Sequence, residues 1–419
     1  MFLWMLEITF LWSIAFSIVF GIGYLFQQVL LFELREPRML TFWTGYCVII
    51  IFLQIYHLFL PINFWALSCV LFASVGGWYL FWRKMRDLGK ISYLFDGCFI
   101  LIALSVCVIF WIANRSLHNG FIDDTGLYHF GVVKWVREYS IIFGLGNLHG
   151  RLAFNNSNLL FNALLDPVFG KFGSVRLANG LLIVVIFIQT IYSALKLFKG
   201  SGEQSNYYRL VLTCYIPVVF YLAINGIGMS TDIPNFVIGV LVTALFIELL
   251  LNKNQDEEQA ATNQTLFHLI VLFSSVGVCI KLSFVIFGFS LCVASAYILH
   301  RRYHSFSFFT ECMKVVWIPV LAIGVYIIRG YILSGYPLYP ATVASIPFDW
   351  IFNDSLHGAS SHHLSGSFPR LHGELRSFTA QGSEGRDLRI ASHACFQPPG
   401  IRLRTSGGLR QLHARTSGP

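Results

Sequence analysis

The chain has 419 residues, of which 56% are hydrophobic and only 12% are charged, and its formal net charge is +8. A soluble domain carries roughly twice this share of charged residues, and the mean hydropathy of this chain is +0.65. The composition therefore excludes an ordinary soluble globular protein. It predicts an all-α, polytopic bundle of transmembrane helices.

Apolar runs long enough to cross a bilayer recur along the chain. A transmembrane helix needs about 20 apolar residues to cross a hydrocarbon core of about 30 Å. A helix also satisfies its own backbone hydrogen bonds there. We predict about ten spans, at residues 11–32, 40–60, 65–82, 93–113, 180–197, 210–227, 233–251, 266–280, 284–299 and 315–333.

The links between these spans indicate an orientation. Lysine and arginine concentrate in alternate links, such as 83–90 (RKMRDLGK), whereas links such as 57–64 (HLFLPINF) contain neither. Basic links face the cytoplasm in multi-pass proteins. We therefore expect a multi-pass protein of the bacterial inner membrane, with the long link 114–179 on the extracytoplasmic side.

Four regions follow from this pattern. Residues 1–113 form an N-terminal segment with four predicted membrane helices, and residues 114–179 form the outer loop. Residues 180–352 hold the remaining membrane helices and an outer segment that contains SGYPLYP. Residues 353–419 lack an apolar span and are rich in Ser, Gly, Arg and His, so this tail cannot bury a core.

The tail has two interpretations. It is either a disordered basic extension or the product of a frameshift, and in the second case the chain is an inactive, truncated copy. Its arginines, less its aspartates and glutamates, supply about half of the net +8. The pI near 9.0 is therefore no evidence for a nucleic-acid partner, and we expect none.

The outer loop opens with two adjacent carboxylates, Asp123 and Asp124, in FIDDTGLYH. The apolar residues that follow recur at helical spacing: Tyr128, Val132, Trp135, Val136 and Tyr139. This spacing predicts a helix that lies in the membrane interface with its aromatic side chains toward the acyl chains. A second short helix is predicted at residues 157–169. A loop of this length with its own structure is usually functional.

The two aspartates are the candidate catalytic residues. Asp124 alone could be a helix N-cap, but one cap needs one side chain, so this interpretation leaves Asp123 unexplained. An adjacent second carboxylate raises the pKa of its neighbour or binds a cation between the two. The pair is therefore also a candidate site for a divalent metal, Mg²⁺ or Mn²⁺.

Five further polar residues are candidates for substrate binding: His149, Arg151, Asp232, Lys281 and Arg329. Asp232 could instead cap the helix predicted to start at Ile233. Lys281 and Arg329 lie at the outer ends of apolar runs, where an ionisable side chain either serves a function or extends to the headgroups.

These residues suit the chemistry of a lipid-linked sugar. A carboxylate outside the membrane can take a proton from an acceptor hydroxyl, and a Lys or Arg at the surface can stabilise the phosphate that leaves. Neither a P-loop nor a dinucleotide-binding glycine motif is present in the sequence. We therefore expect a polyprenyl-phosphate sugar donor, a glycan or lipid acceptor, and contact with membrane lipid.

Three segments carry a resemblance to a known family: residues 123–157 (DDTGLYHFGVVKWVREYSIIFGLGNLHGRLAFNNS), 280–284 (IKLSF) and 329–340 (RGYILSGYPLYP). Over residues 1–352 the chain resembles a family of bacterial polytopic membrane proteins of largely uncharacterised role. That family is similar to the C-type (GT-C) glycosyltransferases, whose first large outer loop opens with an acidic motif. The resemblance implies that Asp123 or Asp124 acts as a base or a metal ligand.

Two other functions stay open at this point. A polymerase, ligase or flippase of surface polysaccharide also has many helices and a large outer loop, but it is expected to use basic residues for an anionic glycan. A transporter is expected to have broken helices in corresponding halves and a charge near the bilayer centre. The sequence has no internal repeat that would indicate such halves.

Overall fold

The computed structural model of the protein describes residues 1–29, 38–87, 99–118, 124–169, 174–198, 206–225, 227–251, 257–303 and 308–352. All of these residues belong to one compact unit, Met1–Asn353. Every regular element of the described part is a helix, so the predicted all-α class is confirmed. The predicted tail, residues 353–419, lies outside the described residues.

The α-helices follow one another along the whole unit. Short π- and 3-10 segments at 125–129, 145–147, 150–153 and 282–284 interrupt them. The helices are α1 Phe2–Val29, α2 Arg38–His57, α3 Phe64–Asp87, α4 Phe99–His118, α5 Phe130–Glu138, α6 Asn158–Phe169, α7 Ser174–Phe198, α8 Asn206–Cys214, α9 Ile216–Asn225, α10 Asp232–Leu251, α11 Glu257–Ile280, α12 Val285–Arg302 and α13 Phe308–Ser334.

Within the described residues, eight helices are long and apolar enough to cross a membrane, namely α1, α2, α3, α7, α10, α11, α12 and α13. The pair α8 and α9 would make a ninth span, which is bent by 42°. The apolar part of α4, Ile102–His118, is shorter than these spans. A multi-pass membrane protein is therefore confirmed, whereas the count of ten stays a prediction.

The break between α8 and α9 has a local cause. The sequence pattern predicted one continuous span at 210–227. In the structure the amide of Tyr215 is shared between the carbonyls of Val211 and Leu212, at 3.3 and 3.1 Å, and Pro217 follows two residues later. Proline has no N–H to donate and its ring crowds the preceding turn, so the helix bends there.

Helices α1 and α2 pack with their backbones in contact. A Cβ atom on Gly23 would lie 1.8 Å from the carbonyl oxygen of Thr41, and one on Gly45 would lie 1.9 Å from that of Val19. No side chain fits at either glycine. Small residues of this kind let transmembrane helices approach closely, so the two glycines fix the N-terminal half of the bundle.

The outer loop forms a layer of short helices, and α5 packs against α6 within it. The valines of α5, Val132, Val133 and Val136, are buried, whereas Tyr139 just beyond the helix is 50% exposed. The helix lies where the spacing predicted it. Its valines pack against protein, and the position of its aromatic side chains toward the acyl chains stays a prediction.

The chain beyond α13 folds back over this loop. Its backbone amide at Phe352 donates to the carbonyl of Ser334 at 2.8 Å, and the Asn147 side chain donates to the carbonyl of Trp350 at 2.7 Å. Gly335, with φ of +81°, allows the reversal. The loop and residues 335–352 thus make a single layer, and that layer positions the candidate site.

Candidate functional site

Asp124 lies in an ion pair on the outer layer. Its Oδ1 accepts a hydrogen bond of 2.8 Å from Nη1 of Arg151, and both side chains are exposed. Asp124 has helical φ and ψ angles, and its side chain makes no capping hydrogen bond. The N-cap interpretation of Asp124 is therefore wrong, because the carboxylate reaches Arg151 and not the amides of the following turn.

Arg151 is held in place by its neighbours. The guanidinium carbon lies 5.5 Å from the centre of the Tyr128 ring, within the range of a cation–π contact. Its backbone amide donates to Nδ1 of His149 at 3.3 Å, which makes His149 the N-cap of the 3-10 turn Gly150–Ala153. His149 thus supports the turn that presents Arg151.

A second ion pair joins Asp232 and Lys281. Asp232 is the first residue of α10, and its amide donates to Oγ of Ser230 at 3.2 Å. Ser230 therefore caps that amide, whereas the Asp232 carboxylate binds the Lys281 ammonium group at the end of α11. Asp232 is not the cap that one interpretation of the sequence expected. The Lys281 side chain is 43% exposed and that of Asp232 is 68% exposed.

The two ion pairs act on the same neighbours. Burial raises the pKa of Tyr128; the charges of Asp124 and Asp232 add to this effect, and that of Arg151 opposes it. The structure therefore brings Asp124 and Arg151 of the loop near Asp232 and Lys281. We call Asp124, Tyr128, Arg151, Asp232 and Lys281 the outer polar cluster.

His129 is a buried titratable residue beside this cluster. It is 3% exposed, and within the described residues neither ring nitrogen has a hydrogen-bond partner. Burial lowers its pKa below the usual 6.5; the charges of Asp124 and Asp232 raise it, and that of Arg151 lowers it further. His129 is therefore uncharged at neutral pH.

Arg329 occupies a different environment. It is 3% exposed, and its Nε donates to Oδ1 of Asn155 at 3.1 Å while its Nη1 lies 2.9 Å from Nδ1 of His57. A guanidinium group only donates, so Nδ1 of His57 is the acceptor and carries no proton. Nε2 of His57 then bears the proton and donates to the carbonyl of Tyr139 at 3.2 Å. Arg329 is thus buried and does not extend to the headgroups.

Among the described residues, the guanidinium of Arg329 has only neutral hydrogen-bond partners. No carboxylate in the described part of the chain forms an ion pair with it. Asn155, its amide partner, is itself fixed by a 2.6 Å hydrogen bond from its Nδ2 to the carbonyl of Tyr326. A buried charge is costly unless hydrogen bonds or an opposite charge compensate it. In the described part of the chain, the charge of Arg329 is compensated by its hydrogen bonds to Asn155 and His57 and by no opposite charge.

Arg329 and His57 line a narrow cleft beneath α5, which we call the Arg329 cleft. The volume of the cleft is about 20 Å³, which is room for one or two waters. The other walls are mostly apolar: Val132, Trp135, Val136, Ser140, Ile142, Leu145, Leu152, Phe154, Asn156, Leu160 and Leu333. The cleft is therefore an apolar slot with a cation in its wall.

One short segment joins the cluster to the cleft. Arg151 extends to Asp124, Leu152 and Phe154 line the cleft, and Asn155 binds Arg329. The Phe154 ring lies 5.9 Å from that of Tyr128. The two polar sites are thus contacted by one short segment, residues 151–155.

Two residues of the site were missed from the sequence: His57 and Asn155. His57 ends an apolar run and precedes a link without Lys or Arg, which is a weak signal for a buried polar residue on the outer side. Asn155 lies in a polar run, FNNSN, within an otherwise apolar region. Neither signal predicts Arg329 as the partner.

Two parts of the predicted site are not addressed by these contacts. Asp123 lies outside the described residues. Among the residues that are described, no group of three His, Cys, Asp or Glu side chains could hold a metal ion. A divalent metal at Asp123 and Asp124 stays a prediction.

The apolar helices and the polar outer layer define a multi-pass membrane protein. Its residues 5–371 match the family described as a domain of unknown function (DUF8201), and the chain belongs to that family. The match extends past residue 352 into the predicted tail. No curated protein and no solved structure matches the chain.

Proposed function

We propose that the protein is a membrane glycosyltransferase of the GT-C type. It moves a sugar from a polyprenyl-phosphate donor to an extracytoplasmic glycan or lipid acceptor. One observation supports this proposal above the others: an exposed carboxylate, Asp124, and a buried guanidinium, Arg329, are bound to the same segment, residues 151–155, beside an apolar cleft. Acid–base chemistry and recognition of a lipid phosphate need these two kinds of group close together.

The proposed reaction uses Asp124 as the general base. Its carboxylate takes the proton of an acceptor hydroxyl, and the acceptor oxygen forms a bond to the anomeric carbon of the sugar. The bond between that carbon and the phosphate oxygen breaks, and the phosphate leaves with the electron pair. A cation near the phosphate stabilises the charge that develops.

The ion pair with Arg151 is compatible with this role. Both side chains are exposed, and an exposed ion pair contributes only about 0 to 1 kcal/mol. An acceptor hydroxyl can therefore replace Arg151 at one carboxylate oxygen at little cost. Arg151 stays near through its contact with the Tyr128 ring.

We assign the protein to the bacterial inner membrane, with residues 114–179 on the extracytoplasmic side, because the basic links alternate along the sequence. Polyprenyl-linked sugars are then within reach of the outer polar cluster. The role lies in assembly of a cell-envelope polysaccharide or glycolipid.

A transporter is the second candidate, and the broken span α8–α9 is the observation that favours it. Discontinuous helices in transporters usually supply the binding site. Here the residues of the Arg329 cleft come from α2, α5, α6, α13 and the loop, and none comes from the broken span. The glycosyltransferase proposal therefore accounts for more of the polar groups.

The test is mass spectrometry of lipid-linked and surface glycans from cells in which the gene is deleted and then restored. We expect deletion to change one glycan by one sugar, and the native chain to repair it. Asp124→Asn should fail to repair it at normal expression. Asp166→Asn, which removes a carboxylate paired with Arg137 elsewhere in the loop, is the matched control and should repair it.

Three results would contradict the proposal. If deletion changes no glycan, sugar transfer is not the function. If Asp124→Asn repairs the glycan as well as Asp166→Asn does, Asp124 is not the base. If both variants fail equally while both proteins are present in the membrane, the loop needs its charge for structure and not for catalysis.

A further inference from the structure

We propose that the Arg329 cleft binds the phosphate group of a membrane lipid, with the guanidinium of Arg329 on the phosphate and the apolar walls on the first part of the hydrocarbon chain. This inference rests on the proposed function where it names a polyprenyl monophosphate as the lipid. The binding itself does not require sugar transfer.

The first argument is the charge of Arg329. Its two partners are an amide oxygen and an unprotonated ring nitrogen, and the described part of the chain supplies no carboxylate. Breaking or omitting one partner of a buried ion pair leaves a costly uncompensated charge. Such a cation in the wall of a cleft is suited to an anion that arrives from outside the protein.

The second argument is the supply of donors. A guanidinium group has five N–H groups in a planar fork. Arg329 uses its Nε–H and one N–H of Nη1 on described residues. The fork therefore retains N–H groups for a ligand in the cleft that Arg329 lines. Guanidinium groups bind phosphate oxygens in bidentate geometry, with charge-assisted hydrogen bonds.

The third argument is how the cation is held. His57 accepts from Arg329 through Nδ1 and donates through Nε2 to the carbonyl of Tyr139, just after α5. Asn155 is fixed in the same way by the carbonyl of Tyr326. Both partners are thus oriented by backbone groups, and the guanidinium is held in place before any ligand binds.

The fourth argument concerns size and polarity. One or two waters fit beside Arg329, and the oxygens of a phosphate can take their place. Apolar walls such as Val132, Leu160 and Leu333 add nothing to the binding of a free inorganic anion. They suit a hydrocarbon chain.

The place of Arg329 in the fold explains how a lipid reaches it. Arg329 lies in the candidate span Val315–Ser334, little more than one turn from the outer end of α13. The outer layer covers it through α5. Trp135 lines the cleft and is only partly buried. The proposal therefore places the entry of the hydrocarbon chain beside this side chain.

The experiment measures binding to the full chain in detergent by native mass spectrometry. The probes are a polyprenyl monophosphate, the uncharged polyprenol of equal length, and inorganic phosphate. We expect one lipid phosphate per protein and binding about 10-fold or more weaker for the polyprenol, because the charge-assisted hydrogen bonds are lost. Inorganic phosphate should compete only weakly, because it gains nothing from the apolar walls.

Two variants and a control locate the site. Arg329→Gln keeps a polar side chain and should weaken binding of the lipid phosphate by about 10- to 100-fold. Val132→Trp fills the cleft, leaves Arg329 intact and should also weaken binding, so the test does not depend on whether Arg329→Gln folds. Arg137→Gln removes a cation from the exposed side of α5, and this variant should bind the lipid phosphate as the native chain does.

The outcomes separate this proposal from the proposed function. Equal binding of polyprenol and polyprenyl phosphate, or native binding by both Arg329→Gln and Val132→Trp, overturns the phosphate site. Strong competition by inorganic phosphate shows a site for free anions and overturns the lipid assignment. Asp166→Asn, whose carboxylate pairs with Arg137 away from the cleft, should bind the lipid phosphate as the native chain does. If the native chain binds it while the glycans of the deletion strain are unchanged, the cleft proposal stands and the glycosyltransferase proposal fails.

Discussion

The outer polar cluster and the Arg329 cleft contain the same kinds of charged group in opposite environments. In the cluster, Arg151 and Lys281 each pair with a carboxylate and remain largely exposed. In the cleft, Arg329 is buried and bound to neutral groups. Water solvates Arg151 and Lys281, whereas protein groups must solvate Arg329. A mutation should therefore cost little stability in the cluster and much in the cleft.

The largest effect is expected for Asn155→Leu. This change removes the acceptor for Nε of Arg329 and the donor to Tyr326, and it leaves a buried charge with one partner fewer. We expect a loss of about 3 to 5 kcal/mol in the free energy of unfolding. Thermal unfolding of the purified protein in detergent measures it.

The control for that change is Asn147→Leu, at an exposed asparagine that also binds a backbone carbonyl. It should cost about 1 kcal/mol, the usual net value of one hydrogen bond. If the two substitutions destabilise the protein equally, Arg329 does not depend on Asn155 and the contrast between the regions is lost.

A smaller effect is expected for His57→Phe, which is similar in shape but cannot accept from Arg329. Hydrogen bonds to charged groups contribute about 1.5 to 3 kcal/mol, and the carbonyl of Tyr139 also loses its donor. His57→Gln retains an acceptor and should recover part of the loss. Unfolding curves of the two variants, compared at one detergent concentration, test this; an equal loss in both would mean that size and not hydrogen bonding matters.

The pH dependence of stability should come partly from His129, which lies beside the cluster. Burial lowers its pKa in the folded protein below the usual 6.5, so the unfolded chain binds a proton at a higher pH than the folded protein does. The stability that neutral His129 provides is present above about pH 6.5 and is lost as the pH falls toward the lower folded value.

His129→Gln should flatten that pH dependence. We expect the loss of unfolding free energy between pH 7.5 and pH 5.5 to be smaller in this variant than in the native protein, because glutamine binds no proton in this range. Asp124, Arg151 and Asp232 all act on this histidine, so Asp124→Asn should make the pH dependence steeper. If the unfolding free energy changes with pH equally in the native protein and in His129→Gln, His129 is not the cause of the pH dependence.

The smallest effect on stability is expected for Lys281→Met. The ion pair with Asp232 is exposed, so its loss should change the unfolding free energy by less than about 1 kcal/mol. Raising the salt concentration should reduce even this difference, because salt screens exposed charges. If Lys281→Met lowers the free energy of unfolding as much as Asn155→Leu does, the cluster stabilises the fold as strongly as the cleft and the two regions do not differ.

The sequence predicted the class of the fold because hydrophobicity alone decides it. It also identified Asp124, Arg151, Asp232, Lys281 and Arg329 as polar residues that need an explanation. It did not reveal their pairing, since Arg329 and His57 are 272 residues apart and Asp232 and Lys281 are 49 apart. Contacts over such separations depend on how the helices pack, which no local pattern encodes.

Asp124 and α5 show where local sequence patterns in the loop stop being informative. Asp124 could have been a helix N-cap, but its carboxylate binds Arg151 and makes no capping hydrogen bond. The spacing in α5 predicted that its aromatic side chains lie toward the acyl chains, but it did not predict that α6 packs against the same helix. An amphipathic pattern shows that a helix has an apolar side and does not show what covers that side.

The return of residues 335–352 over the loop has a consequence for biogenesis. The Asn147 side chain donates to a carbonyl 203 residues later in the chain, and His57 receives Arg329 only after twelve of the thirteen described α-helices have been synthesised. During translation the loop leaves the ribosome long before the residues that complete it. The cleft is therefore a late product of membrane insertion, and a ribosome that stalls before Trp350 releases a loop without its cover.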